Sequence, residues 1–197
     1  MVVNAPWVTV PLLFISCLAQ ANWQEPDEND PTLTAGKLMR LCDKSFHYRP
    51  DRVLFWCKKA AEAGFLQALL NIGYHTKDGS RYIEELNKRI KAGDSVALLS
   101  LAWLYESGTF VLRNESRSLA LYKDYLEGTD PSQPWYGQTH LDLAKIYQKQ
   151  NNWPLTLKHA NVAAKYINDS NKREYAASII EAAKAKIHTQ EDTNQGL

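Results

Sequence analysis

Lys59-Ala60-Ala61-Glu62-Ala63-Gly64 and Lys88-Arg89-Ile90-Lys91-Ala92-Gly93 decide the fold, because one design appears twice: a basic start, a small residue near the end, and a closing glycine. Gly64 and Gly93 stand 29 residues apart. So do the alanines that open the next stretches, Ala68-Leu69-Leu70-Asn71-Ile72-Gly73 and Ala97-Leu98-Leu99-Ser100-Leu101-Ala102. Leu143-Ala144-Lys145-Ile146-Tyr147 matches Leu101-Ala102-Trp103-Leu104-Tyr105. It lies 42 residues on, because a Gly- and Pro-rich insert, GTDPSQPWYG from Gly128 to Gly137, intervenes. Self-similarity at such spacing marks a repeat architecture.

The pattern has a direct physical reading. Ala or Gly at the same place in each unit lets two helices approach closely, and Leu, Ile and Tyr three or four residues away fill the space between neighbours. A glycine at the end of the second helix supplies the left-handed cap that turns the chain. One helix pair cannot bury its apolar stripe, so several must stack. The spacing predicts helix pairs at about 33–46 with 51–63, 66–77 with 80–92, 95–107 with 115–127 and 136–149 with 153–167. A closing helix is predicted at about 171–187, for an all-α chain of about nine helices.

Composition agrees. With 197 residues, one folded domain is expected. A hydrophobic share of 45%, with 23% charged residues, is that of an ordinary globular protein, and a net charge of +1 points neither to nucleic acid nor to an anionic membrane. The scarcity of Gly (9) and of long β-branched runs favours helix.

The first residues read differently. Val8 to Leu18 is almost wholly apolar and is followed by Ala19-Gln20-Ala21, a small-x-small cleavage pattern. The stretch is too short to span a membrane. Residues 1–21 are therefore expected to be a secretory signal cut after Ala21, although no Lys or Arg precedes the apolar run. A lipoprotein reading would acylate Cys17, but Phe14 fits the first position of that motif poorly. A buried N-terminal helix is disfavoured by Pro6 and Pro11. Residues 22–32 are polar, acidic and Pro-containing and read as a linker, 33–187 as the repeat domain, and 188–197 as a flexible tail. Cleavage would leave Cys42 and Cys57. An even count in an exported chain fits a disulfide between two adjacent helices, and the alternative is a pair of buried thiols.

Asp51-Arg52-Val53-Leu54-Phe55-Trp56-Cys57-Lys58-Lys59-Ala60-Ala61-Glu62-Ala63-Gly64 resembles the second helix of a Sel1-like repeat, which favours K-A-x-x-W-Y-x-K-A-A-x-x-G. Ala97 to Gly108 (ALLSLAWLYESG) resembles its first helix, A-x-x-x-L-G-x-x-Y-x-x-G, and Ala120-Leu121-Tyr122 repeats the middle of the second. Leu143 to Ala164, with Asn152-Trp153 at the turn, is closer to an ordinary tetratricopeptide (TPR) repeat. The likeness covers roughly residues 35–170. The helix at 81–92 lacks the Trp and paired alanines, and the insert after Gly128 has no counterpart.

The resemblance implies a right-handed α-solenoid of stacked antiparallel helix pairs whose first helices line a concave, partner-binding face. Positions two residues either side of the Leu-small pair then look into the groove: Leu70 and Tyr74, Leu99 and Trp103, Leu141 and Lys145. One turn further come Lys77, Glu106, Gln148 and Lys149. The occupant implied is a protein or peptide, in the cell envelope for an exported chain. The expectation is thus a periplasmic or secreted adaptor, with no nucleic-acid partner and no membrane insertion after cleavage.

No enzymatic motif competes. The chain has no HExxH, GxSxG, P-loop or GxGxxG. Its histidines, 47, 75, 140, 159 and 188, are never three or four residues from one another or from a cysteine, so no catalytic residue, metal site or cofactor is expected. Glu84-Glu85 and Glu181 read as solvated faces. The alternative is a cell-wall glycan-binding protein or enzyme akin to cysteine-rich Sel1-like penicillin-binding proteins, with Trp103, Trp135 and Tyr136 stacking on sugars. Those relatives carry a cysteine pair in nearly every repeat, and this chain keeps at most one. A cytosolic scaffold with an uncut N-terminus is the third reading.

Overall fold

The computed structural model describes residues 25–195; the expected signal segment, its cleavage point and Cys17 lie outside them. Among the described residues there are nine α-helices and no strand. They are α1 (Ala35–Tyr48), α2 (Val53–Glu62), α3 (Leu66–Thr76), α4 (Ser80–Lys91) and α5 (Val96–Ser107), then α6 (Glu115–Leu126), α7 (Tyr136–Lys149), α8 (Trp153–Tyr166) and α9 (Ser170–Gln195). A short 3-10 turn, Pro50–Arg52, leads into α2. Neighbours in sequence pack together, and α1 also touches α3 while α7 touches α9.

Local chemistry sets the helix ends. The Thr34, Asn114 and Asn152 side chains accept from the backbone N–H of Lys37, Arg117 and Leu155, at 3.4, 2.9 and 3.2 Å, as helix N-caps do. Gly64 and Gly93, at φ 94° and 88°, turn the chain in the left-handed region after α2 and α4, as their spacing predicted. The closing helix differs from expectation. It runs to Gln195 instead of ending near 187, since no Gly or Pro interrupts it before Gly196.

Small residues dominate the contacts between helices. Ala144, Ala160, Ala163 and Ala176 are fully buried where α7, α8 and α9 meet, around Leu141 and Ile179. Ala102 is fully buried beside Tyr122, Leu143, Ile146 and Tyr147 in a cluster that α5, α6 and α7 share. Leucine at position 102 or 144 should overpack these seams and lower stability by about 1–3 kcal/mol in chemical denaturation. Wild-type midpoints for both variants would refute this packing.

At the other end, Cys42 and Cys57 lie at disulfide distance, 2.06 Å between sulfurs, joining α1 to α2. Met39, Val53, Trp56, Ala60 and Ile72 surround them.

Two features depart from the sequence reading. Residues 25–32, expected to be a free linker, are held to the fold. The Glu25 carboxylate accepts from the buried Trp56 indole N–H at 2.5 Å and from Arg52 Nε at 2.6 Å, while Arg52 also pairs with Glu28 at 2.6 Å. A buried indole needs an acceptor, and α2 has none to spare. The second feature is Phe110, at φ 62° in the α5–α6 loop. Its ring fills the space that side chains at Gly73 and Gly79 would occupy: a Cβ would meet it at 2.8 Å and 2.0 Å respectively. Gly73 therefore makes room for an aromatic wedge as well as for a neighbouring helix.

Candidate binding cleft

Helices α3, α5 and α7 line a cleft of about 410 Å³. Leu70 and Gln67 come from α3. Val96, Leu99, Ser100 and Trp103 come from α5, and Gln138, Thr139 and Asp142 from α7. Tyr82 and Tyr122 reach it from α4 and α6, and Trp135 overhangs it from the end of the insert. Large apolar side chains seldom stand free in a cluster, yet Val96, Trp103 and Trp135 are 47%, 40% and 48% exposed.

Most polar groups here already have partners. The Tyr122 hydroxyl donates to Glu106 at 2.9 Å, and its acidity is strongly suppressed, first by burial and then by the Asp142 and Glu106 carboxylates. Thr139 donates to the Trp135 carbonyl at 2.8 Å, which anchors the start of α7 beneath the indole. Asp142 accepts from Lys145 at 2.7 Å and from Gln138 at 3.1 Å on Oδ1, and from Gln138 at 3.3 Å on Oδ2.

Of the residues expected in the groove, Leu70, Leu99 and Trp103 line this cleft. Leu141 does not: it is 3% exposed and faces Ala160, Ala163 and Ile179. Both α8 and α9 pack on α7, and Leu141 lies on the side they cover. Tyr74 is also diverted, its ring lying 5.2 Å from that of Phe110. Lys77 caps α3 in the left-handed conformation and is exposed. Glu106 lies below Tyr122 and 3.9 Å from Lys149, and Lys145 serves Asp142, so these three act around the cleft rather than on its lining. Gln148 is half-buried on the same helix. Trp135, Gln138 and Asp142 were missed as groove residues. Trp135 was weighed only as a sugar-stacking group, and the one visible signal was a Trp placed near the end of a Gly- and Pro-rich insert.

A second feature lay hidden in the sequence. His140 of α7 and His159 of α8 meet in the interior with their Nδ1 atoms 2.9 Å apart, one donating and the other accepting. Tyr136 packs edge-on against His140, and Tyr147 stacks on His159 at 5.4 Å. Burial, aided by the positive Lys158, holds His140 down to about 4. His159 is held to about 4 by burial and then by His140, Lys158 and Lys123. His140 Nε2 is buried and has no hydrogen-bond partner among the described residues. The two residues are 19 apart, so helical spacing did not connect them.

The arrangement is that of an all-helical hairpin array carrying an aromatic cleft. No family model, curated protein or solved structure matches the chain.

Proposed function

We propose that this protein is an exported adaptor of the Sel1-like/TPR-like kind, a right-handed helical-repeat solenoid that holds a partner polypeptide in its concave cleft, within a cell-envelope assembly. The observation that carries the reading is the convergence of exposed Val96, Trp103 and Trp135 on one cleft lined mainly by α3, α5 and α7. An aromatic, apolar centre with a polar rim is the anatomy of a recognition surface. Support for export comes from the apolar stretch before Ala19-Gln20-Ala21 and from the joined Cys42 and Cys57.

Trp103→Ala tests it. Loss of an interface tryptophan of this kind weakens binding by about 2 kcal/mol or more, roughly 30-fold. Trp103 is 40% exposed, so folding should change little. Tagged wild type and variant are purified side by side from the cell envelope and the co-purifying proteins identified by mass spectrometry. A partner kept by the wild type and lost by the variant is expected. The same partner at the same yield from both would remove the cleft from the interaction.

The two exposed indoles beside the Gln67 and Gln138 amides also favour a second reading, binding of wall glycan. Calorimetric heat from purified wall fragments, abolished in Trp103→Ala, would select that reading over the adaptor.

A further inference from the structure

We propose that the segment held in the cleft is apolar and anchored by an arginine, whose guanidinium sits on the Asp142 carboxylate against the Trp103 and Trp135 rings. The inference rests on the adaptor reading above and specifies its partner.

Three observations carry it. Among the described residues Asp142 is the one charged side chain lining the cleft, and it is negative, with Lys145 paired to its Oδ1 from outside the lining. That carboxylate is incompletely used. Oδ1 holds Lys145 and Gln138, whereas Oδ2 has only the 3.3 Å contact from Gln138 among the described residues. A carboxylate can accept about four hydrogen bonds and takes a guanidinium through both oxygens. Finally, among the described residues no Lys or Arg stands over Trp103 or Trp135. Elsewhere cations do cover exposed or half-exposed rings: Arg117 lies 5.0 Å from the centre of Tyr105 and Lys165 5.0 Å from that of Tyr166. Two bare indoles beside a carboxylate suit a planar, weakly hydrated cation better than an ammonium. Glu106, 17% exposed beneath Tyr122, adds a second negative charge nearby.

Lys145 is the internal competitor. Its ammonium occupies Oδ1 at 2.7 Å in the free protein, and an incoming guanidinium displaces it or joins it at Oδ2. Its removal should therefore strengthen arginine binding, an outcome that a merely structural Asp142 does not produce.

The experiment uses the full chain and three synthetic peptides, acetyl-Ser-Leu-Val-Xaa-Leu-Val-Ser-amide, with arginine, citrulline or glutamate as Xaa. Binding is read by NMR titration into the millimolar range. Citrulline keeps the shape of arginine without its charge. The arginine peptide is expected to bind at least about tenfold tighter than the citrulline peptide, and the glutamate peptide more weakly than either. In Asp142→Asn the arginine advantage should collapse while citrulline affinity stays. In Lys145→Gln arginine affinity should rise. Equal affinities for arginine and citrulline, with Trp103→Ala weakening both, would overturn the arginine anchor and leave the peptide cleft standing. Binding of none of the three would overturn both.

Discussion

Acidification from pH 7 toward pH 4 is expected to destabilise this protein steeply, through His140 and His159. Both are buried and held neutral, at about 4 against the ordinary 6.5. A base whose folded value lies below its unfolded one is protonated first in the unfolded chain, so falling pH favours unfolding. The stability is complete above pH 6.5 and is lost progressively as pH falls from there to about 4. Both histidines act in the same direction over that window, so their losses reinforce each other. Protonation also breaks the bond between the Nδ1 atoms, since two imidazoliums have no acceptor to offer each other. Lys158 and Lys123 add to the repulsion, and among the described residues no carboxylate acts on either ring. The Asp30, Asp51, Asp78 and Asp130 carboxyls lie below 3.8 in the fold and act at lower pH. Urea denaturation at intervals between pH 7.5 and 4.5 should show the decline. It should flatten in a His140→Leu, His159→Leu double variant, which replaces both partners with apolar groups. Parallel acid limbs for wild type and double variant would exclude the histidine pair as the cause.

The second large effect concerns the join between α1 and α2. Cys42 and Cys57 close a loop of 15 residues. Opening such a loop restores chain entropy to the unfolded state and costs about 3 kcal/mol. For a chain of this size that corresponds to a melting point lower by roughly 6–12 °C. The Cys42→Ala, Cys57→Ala variant, melted beside the oxidised wild type by circular dichroism, measures it. Dithiothreitol should move the wild type toward the variant and leave the variant where it is. An identical melting point for oxidised wild type and variant would show that the two cysteines do not constrain the chain. Each cysteine is fully buried, so loss of packing at these sites accompanies the loss of the link.

The helices were readable because their signals are local. Spacing of three and four residues placed the helix bodies, and Gly64 and Gly93 marked where two of them end. Ala102 and Ala144, expected at contacts between helices, are both fully buried. The cleft was only half legible. Leu70, Leu99 and Trp103 were reachable by register alone, because α3 and α5 keep a free face. The same register failed at Leu141, since nothing within α7 announces that α8 and α9 both pack on it. Tyr74 was lost to Phe110, whose position depends on a left-handed residue in a loop.

By itself, then, the sequence determined the helical class, the order and approximate limits of the helices, and the cysteines that could meet, all matters of short-range periodicity and capping. Only the tertiary structure decided which faces remain open, which carboxylate shares a cleft with two exposed indoles, that Glu25 seats on Trp56, and that His140 meets His159. Each of those depends on how many neighbours cover a helix and at what angle they cross it, and that is set by packing between residues far apart in the chain rather than by the pattern within any one helix.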